Sequence, residues 1–278
     1  MIRKTLSLML SLLLSLSACA AETASDASIL SLYAINVRKA DALLLRCGST
    51  AYLIDTGTED AFPSLLAALQ GEGIERLDGV ILTHTHKDHA GGLPWLLESG
   101  ITVDHVYASA YYTGKEKKHP AVKALKGTGR EVEWLRSGDA LPLDGGTLEV
   151  LGPRVPNEKE NCNSLVLLAS GGGGSILLAG DMEFPEEEDL IAAGLIPHAD
   201  VLKIGNHGEN DATSEALVRA VSPAAAVIST NSDDEPDTPS RRVMNLLKKY
   251  NVTVYQTQET ENGVLITLQG GQTDAVAK

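Results

Sequence analysis

The chain has 278 residues, with 23 basic against 37 acidic side chains, a formal net charge of −14, 43% hydrophobic residues and three cysteines. That charge disfavours indiscriminate binding of polyanions such as nucleic acid, and three cysteines make no disulfide framework. The length suits one large domain with its own core rather than a binding tail. In chain order, Arg3 and Lys4 precede an apolar run over residues 6–16. A basic start, an apolar stretch and small residues before a cut define a secretory signal over residues 1–18. The run is too short for a lasting transmembrane helix.

Leu16-Ser17-Ala18-Cys19 resembles the bacterial lipobox, in which the cysteine becomes the acylated first residue of the mature protein. The alternative is an ordinary signal cut near Ala20 or Ala21. The resemblance implies a lipid anchor on Cys19, a polar tether over residues 19–28 and a domain over residues 29–278, outside the cytoplasm at the cell membrane. Taking Arg3 and Lys4 from the 23 basic residues leaves 21 against 37 acidic ones.

Residues 32–37, 42–46 and 51–54 read as successive strands, the third ending in Asp55-Thr56-Gly57. Residues 62–70 read as a helix ended by glycines, and residues 77–82 as a buried strand. That strand runs into His84-Thr85-His86-Lys87-Asp88-His89, then Gly91-Gly92. Imidazole nitrogen and carboxylate oxygen are ligands that a borderline divalent ion such as zinc prefers. In an extended segment His84 and His86 leave on the same side, so both can grip one ion. Asp88 and His89 point elsewhere, so two ions a few ångströms apart accommodate all four better than one. This outlines a dinuclear hydrolase site.

Residues 90–97 continue helically and 101–107 are strand-like. A polar stretch over residues 109–126 carries Tyr111, Tyr112, Lys115, Lys117, Lys118 and His119. It reads either as a solvated loop and helix or as a loop overhanging the site. His105 and His119 have no ligand partner at useful spacing and read as structural. Residues 131–135 and 146–151 are strands. After Asn161-Cys162-Asn163-Ser164 and a turn at residues 171–174, a strand over 175–178 ends in Ala179-Gly180-Asp181. A carboxylate at a buried strand end needs a cation or hydrogen bonds. Residues 199–208 again deliver a histidine, His207, onto a glycine-flanked turn, and His207 is the candidate remaining ligand of the Asp88/His89 ion. Lys203, on the same strand, is either a surface lysine or a positive charge for a developing oxyanion. Helices over 214–220 and 241–250 and strands over 224–229, 252–255 and 263–268 complete the chain. Cys47 and Cys162 are either buried thiols or one bridge.

His84-x-His86-x-Asp88-His89 with Gly91-Gly92 resembles the signature loop of the metallo-β-lactamase superfamily. The resemblance implies an α/β (α+β) fold, a four-layer αββα sandwich with one or two metal ions at the sheet edge. It implies that Asp55 orients a ligand and that Asp181 bridges the two ions. Asn161-x-Asn163-Ser164-Leu165-Val166-Leu167, Gly180-Asp181 and Lys203-x-x-x-His207-Gly208 resemble one branch in particular. That branch is the hydrolase-like domain of late-competence (ComEC-type) DNA-uptake proteins and the related phosphorylcholine esterases. As in that branch, Asn163 or Ser164 stands where most of the superfamily has a histidine, so water or a weak amide completes the first ion's shell.

The expected ligand set is therefore His84, His86, Asp88, His89, Asp181 and His207, around two divalent ions, zinc first and manganese second. The expected activity is metal-dependent hydrolysis of a small-molecule or envelope phosphoester, with Asp88, Asp181 and Lys203 as catalytic groups. The alternatives are a lactone, thioester or β-lactam hydrolase, and a non-catalytic surface protein that keeps the fold to bind a partner.

Overall fold

The computed structural model describes residues 28–278. The signal segment, Cys19 and nearly all of the tether lie outside them. The chain opens with β1 (Leu30–Ile35), β2 (Leu43–Cys47), β3 (Thr50–Ile54), α1 (Phe62–Gly71) and β4 (Arg76–Leu82). It continues with α2 (Lys87–Ala90), α3 (Leu93–Glu98), β5 (Thr102–Ser109), α4 (Pro120–Ala124) and β6 (Glu133–Leu135). The second half holds β7 (Ala140–Leu143), β8 (Gly146–Gly152), β9 (Val166–Gly171), β10 (Gly174–Leu178), α5 (Phe184–Ala192) and β11 (Val201–Lys203). Then come α6 (Glu215–Val221), β12 (Ala225–Ile228), α7 (Arg241–Lys249), β13 (Thr253–Gln256), β14 (Gly263–Gln269) and β15 (Gln272–Ala277). Among the described residues no helix is long and apolar enough to cross a membrane.

The strands form two mixed sheets, ordered β15-β14-β1-β2-β3-β4-β5-β6 and β13-β12-β11-β10-β9-β8-β7. Side chains alternate across each strand, so neighbouring residues enter different layers. Leu45, Ile54 and Ile81 meet Leu148, Leu167, Ile176 and Val227 between the sheets. Leu44, Leu53 and Val80 face Leu65, Leu69, Leu93 and Leu96 of the helices on one side. Leu177 and Leu202 face Leu190, Leu217 and Leu247 on the other. Burial on both faces is why these strands read as continuous apolar runs. The result is the expected four-layer αββα sandwich. Three strands go beyond the sequence reading: β9 pairs antiparallel with both β8 and β10, β7 carries Pro142 and sits at a sheet edge, where proline is tolerated, and β15 is a mostly exposed edge strand.

In each sheet an antiparallel half gives way to a parallel half. Pairing turns parallel at β3/β4 in the first sheet and at β10/β11 in the second. The loops after parallel strands all leave at one end, which is where open α/β sheets place their ligands. Asp55 follows β3, His84 follows β4, Asp181 follows β10 and His207 follows β11. One edge of the sandwich therefore collects residues that are far apart in the sequence.

Cys47 and Cys162 are separate buried thiols, not a bridge. Burial and then Glu183 push the Cys162 thiol up to about 11. On α5, Glu187 accepts from the Thr213 and Ser214 backbone N–H groups at 2.5 and 2.8 Å. Its neighbour Glu186 is buried with both carboxylate oxygens lacking a hydrogen-bond partner among the described residues. Burial, then Glu187 and Asp189, hold Glu186 protonated well above the usual carboxylate range. The folded state thus binds a proton that the unfolded state releases near pH ~4.3. Stability is full below that pH and is lost as pH rises toward the folded value. Glu186→Gln is expected to raise the melting temperature at pH 8, at about 2–4 °C per kcal/mol gained, and to change it little near pH 4. Melting curves at the two pH values check this, and an equal shift at both would contradict it.

Candidate metal centre

The centre is built from two stitched loops of the first half. Thr56 N–H and Oγ1–H both donate to the His89 carbonyl, at 2.6 and 2.9 Å, and Gly92 N–H donates to the Gly57 carbonyl at 3.0 Å. A Cβ on Gly92 would stand 2.3 Å from the Thr56 carbonyl oxygen, so only glycine allows this approach. Leu165 N–H donates to the Thr83 carbonyl at 3.0 Å and Asp41 N–H to the Asp88 carbonyl at 3.1 Å, which fixes the histidine loop against both halves. Asp55 and His207 hold φ values of 60° and 52°. Such left-handed backbone is uncommon in non-glycine residues and concentrates at functional sites.

Hydrogen bonds at one ring nitrogen orient each buried imidazole. Asp55, at 0% exposure, accepts from Thr83 N–H and Oγ1–H at 2.8 and 2.7 Å and from His89 Nδ1–H at 2.7 Å. With the Thr83 hydroxyl proton directed at Asp55, its oxygen accepts from His84 Nδ1–H at 3.1 Å. His207 Nδ1–H donates to the Ser229 carbonyl at 2.9 Å. In all three rings Nε2 is therefore the atom available to a cation, and His84, His89 and His207 Nε2 are buried without a hydrogen-bond partner among the described residues. Asp55 thus holds the place expected of it, behind His89.

The Asp181 carboxylate stands in the middle of these nitrogens. Its Oδ2 lies 3.2 Å from His89 Nε2 and 3.6 Å from His84 Nε2, and its Oδ1 lies 3.6 Å from His207 Nε2. Asp88 Oδ2 is 3.6 Å from His207 Nε2. Charge-assisted N–H···O bonds are shorter, about 2.7–2.9 Å. Two ligands on one tetrahedral ion, each at 2.0–2.2 Å, stand about 3.3–3.6 Å apart. The donor set therefore fits a divalent cation, in two overlapping groups: His84, His89 and Asp181, and Asp88, His89 and His207.

The protonation pattern follows from the same packing. Burial opposes a charge on His89, but Asp181 and Asp55 outweigh it and raise its pKa well above the ordinary value. His207 is raised for the same reason by Asp181 and Asp88. Burial and the neighbouring His89 push His84 down to about 3. Asp181 and Asp88 stay ionised, since the histidine charges outweigh the burial that would neutralise them.

Three expected residues are placed differently. His86 caps α2 and is exposed, its ring 4.7 Å from that of His84. The chain bends at residues 83–85, where Glu160 Oε1 accepts from Thr85 N–H at 3.1 Å, so strand alternation no longer governs the pair. His86 thus stands beside the buried donor groups rather than in them. The Asn163 amide is engaged by the loop before it: its Oδ1 accepts from Asn157 N–H at 2.8 Å and its Nδ2 donates to the Asn157 carbonyl at 2.9 Å. It is not free to act as a weak ligand, while Ser164 Oγ accepts from Asp181 N–H at 3.2 Å.

Lys203 is the clearest correction. It is neither at the surface nor facing a substrate, but 0% exposed, donating to Asp41 Oδ2 and to the Ile204 carbonyl, each at 2.9 Å. An ammonium this deep needs a carboxylate, and Asp41 is 162 positions away in sequence. Lys203 outweighs the burial that would neutralise Asp41 and lowers its pKa. Asp41 was missed in the sequence, where the one signal was a carboxylate inside the apolar run Ala40-Asp41-Ala42-Leu43. His105, paired with Glu133, and His119, which accepts from Ala121 N–H and caps α4, are structural as expected.

Residues 35–232 match the Metallo-beta-lactamase superfamily, a span that contains every donor named above. ComE operon protein 3 of Bacillus subtilis is 31% identical over 202 residues, which cover 72% of this chain and 26% of that protein. Recombination protein 2 of Haemophilus influenzae is 31% identical over 229 residues, covering 80% of this chain and 27% of that protein. The chain thus spans about a quarter of the length of the curated relatives it matches. The metallo-beta-lactamase fold protein YhfI from Bacillus subtilis superposes with a TM-score of 0.58 at 12% identity, over 86% of this chain and 99% of that one. That likeness shows the fold. Fold, donor loops and relatives agree: the chain belongs to the metallo-β-lactamase superfamily, in the branch of the late-competence proteins.

Proposed function

We propose that the protein is a metal-dependent hydrolase of phosphodiesters. The observation that carries the reading is the set of 3.2–3.6 Å separations between buried imidazole nitrogens and carboxylate oxygens, most of them too long for charge-assisted hydrogen bonds and all of them suited to ligands that share an ion. Asp181 has histidines on both sides, the arrangement in which one carboxylate serves two ions. Two-ion sites clamp the attacking and leaving oxygens of an in-line displacement at phosphorus. His84, Asp181 and, after a turn of its side chain, His86 would hold one ion; Asp88, His89 and His207 would hold the other, with zinc or manganese suiting this donor set. When bound, such ions supply Lewis acidity and make hydroxide available near pH ~7. The protein's own groups do the positioning. Asp55, Thr83 and the Ser229 carbonyl fix the three rings, and such outer partners are typically worth about 10–100-fold in metal affinity. Asp88, ionised and partly exposed at the mouth, accepts a hydrogen bond from the attacking water and aims it.

On the same reading the protein is exported and held at the membrane by acyl chains on Cys19, so its substrate is an envelope or extracellular phosphoester. Palmitate labelling that disappears in Cys19→Ser supports the anchor, and unchanged labelling contradicts it. For the chemistry, metal-stripped protein is expected to be inactive on bis(p-nitrophenyl) phosphate and to regain activity with zinc or manganese. Turnover of lactones, thioesters or β-lactams with none of phosphodiesters would overturn the proposal.

A further inference from the structure

Beside the histidine loop runs an open groove of about 850 Å³, lined by Thr85, Lys87 and Gly91 of that region and by residues of α4 and Lys126. Five lysines line it, Lys87, Lys115, Lys118, Lys123 and Lys126, against two glutamates, Glu59 and Glu98. Among the described residues, Lys39, Lys159, Lys203, Lys249 and Lys278 sit in ion pairs. The five groove lysines do not. Residues 113–130 carry six basic side chains and one acid in a chain of net charge −14. Unpaired cations have thus gathered on one concave strip next to the donor set. At physiological salt the Debye length is about 8 Å, so the acids elsewhere are screened and the groove's own charges dominate inside it.

No tyrosine, phenylalanine or tryptophan lines the groove. The ring of His119 is buried, 4.9 and 5.0 Å from those of Tyr112 and Trp134. Proteins that grip single-stranded nucleic acid use exposed aromatic rings to stack bases. A groove with lysines and no such ring recognises a row of negative charges without stacking on the groups between them.

We propose that this groove is an anchoring subsite for a linear polyphosphodiester, held through its backbone phosphates independently of what the phosphates link, so that one linkage lies at the metal donors. The proposal rests on the phosphodiesterase reading and extends it from small diesters to polymers. It is tested by binding, on purified protein freed of metal by chelation, with a dye-labelled oligomer of abasic phosphodiester units and a thymidylate of equal length. The two are expected to bind alike, with affinity falling steeply between about 50 and 200 mM salt. The triple variant Lys115→Glu/Lys118→Glu/Lys123→Glu is expected to lose at least about tenfold in affinity and to flatten the salt slope by roughly 2, at ~0.7 per phosphate contact. Lys248→Glu, which alters an unpaired lysine outside the groove, is expected to bind as wild type does. Unchanged binding by the triple variant, or binding of thymidylate without the abasic oligomer, would overturn the subsite. Small diesters cleaved with no oligomer bound would count against the subsite alone. Oligomer bound as expected but no diester cleaved with metal would count against the hydrolase reading alone.

Discussion

His207→Ala is expected to abolish metal-dependent turnover and to weaken divalent-ion binding by well over the ~10–100-fold that loss of an outer hydrogen-bond partner costs. The reason is positional. His207 alone brings an imidazole from the second sheet to the Asp88 side of the pocket, with its Nε2 3.6 Å from both Asp88 Oδ2 and Asp181 Oδ1. Its replacement leaves those carboxylates with only first-half nitrogens as co-ligands. The exposed ring of His86 offers the contrast: His86→Ala is expected to keep the ion held by the buried groups and to lose the other. Isothermal titration with zinc, on variants whose circular dichroism matches wild type, measures both affinity and stoichiometry. Equal zinc binding by His207→Ala and wild type would show that His207 is not a ligand.

Lys203→Met is expected to destabilise the fold by about 3–5 kcal/mol, because it leaves the Asp41 carboxylate buried without its cation. The pair spans the two sheets: Lys203 ends β11, and Asp41 lies in the β1–β2 loop whose backbone N–H holds the Asp88 carbonyl. Replacing both partners removes the charge that would be stranded. Lys203→Met with Asp41→Leu is therefore expected to recover most of the loss, since apolar groups of similar volume often replace a buried ion pair at little cost. Urea denaturation of the two single variants and the double variant measures the coupling. Additive losses in the double variant would mean that the two side chains do not act as a pair.

Much of this was legible from local pattern. Apolar strands that stop at a polar residue gave away the donors after β4, β10 and β11, because a carboxylate or imidazole there needs a partner. Asp55 was legible only through the family resemblance. What stayed hidden depends on distant contacts. The Lys203–Asp41 pair joins residues 162 positions apart, and a lysine at a strand end looks like any surface lysine until that partner is seen. The Asn163 amide is absorbed by a loop six residues upstream. The alternation that placed His84 and His86 side by side assumes an extended chain, and the bend at residues 83–85 breaks it. The lysines of the α4 region were visible as a charge run. Their place on one groove beside the histidine loop was not, because it depends on α4 packing against α3.

The donor set is tested most directly by a crystal structure of the zinc-soaked protein with anomalous scattering recorded on both sides of the zinc edge. Two zinc-specific peaks are the expected result, one beside His84 Nε2 and one beside Asp88, His89 Nε2 and His207 Nε2, with the Asp181 carboxylate between them and each ion about 2.0–2.2 Å from its ligands. No anomalous peak at either position in zinc-saturated crystals, with the Asp181 carboxylate instead hydrogen-bonded to protonated histidines, would contradict it.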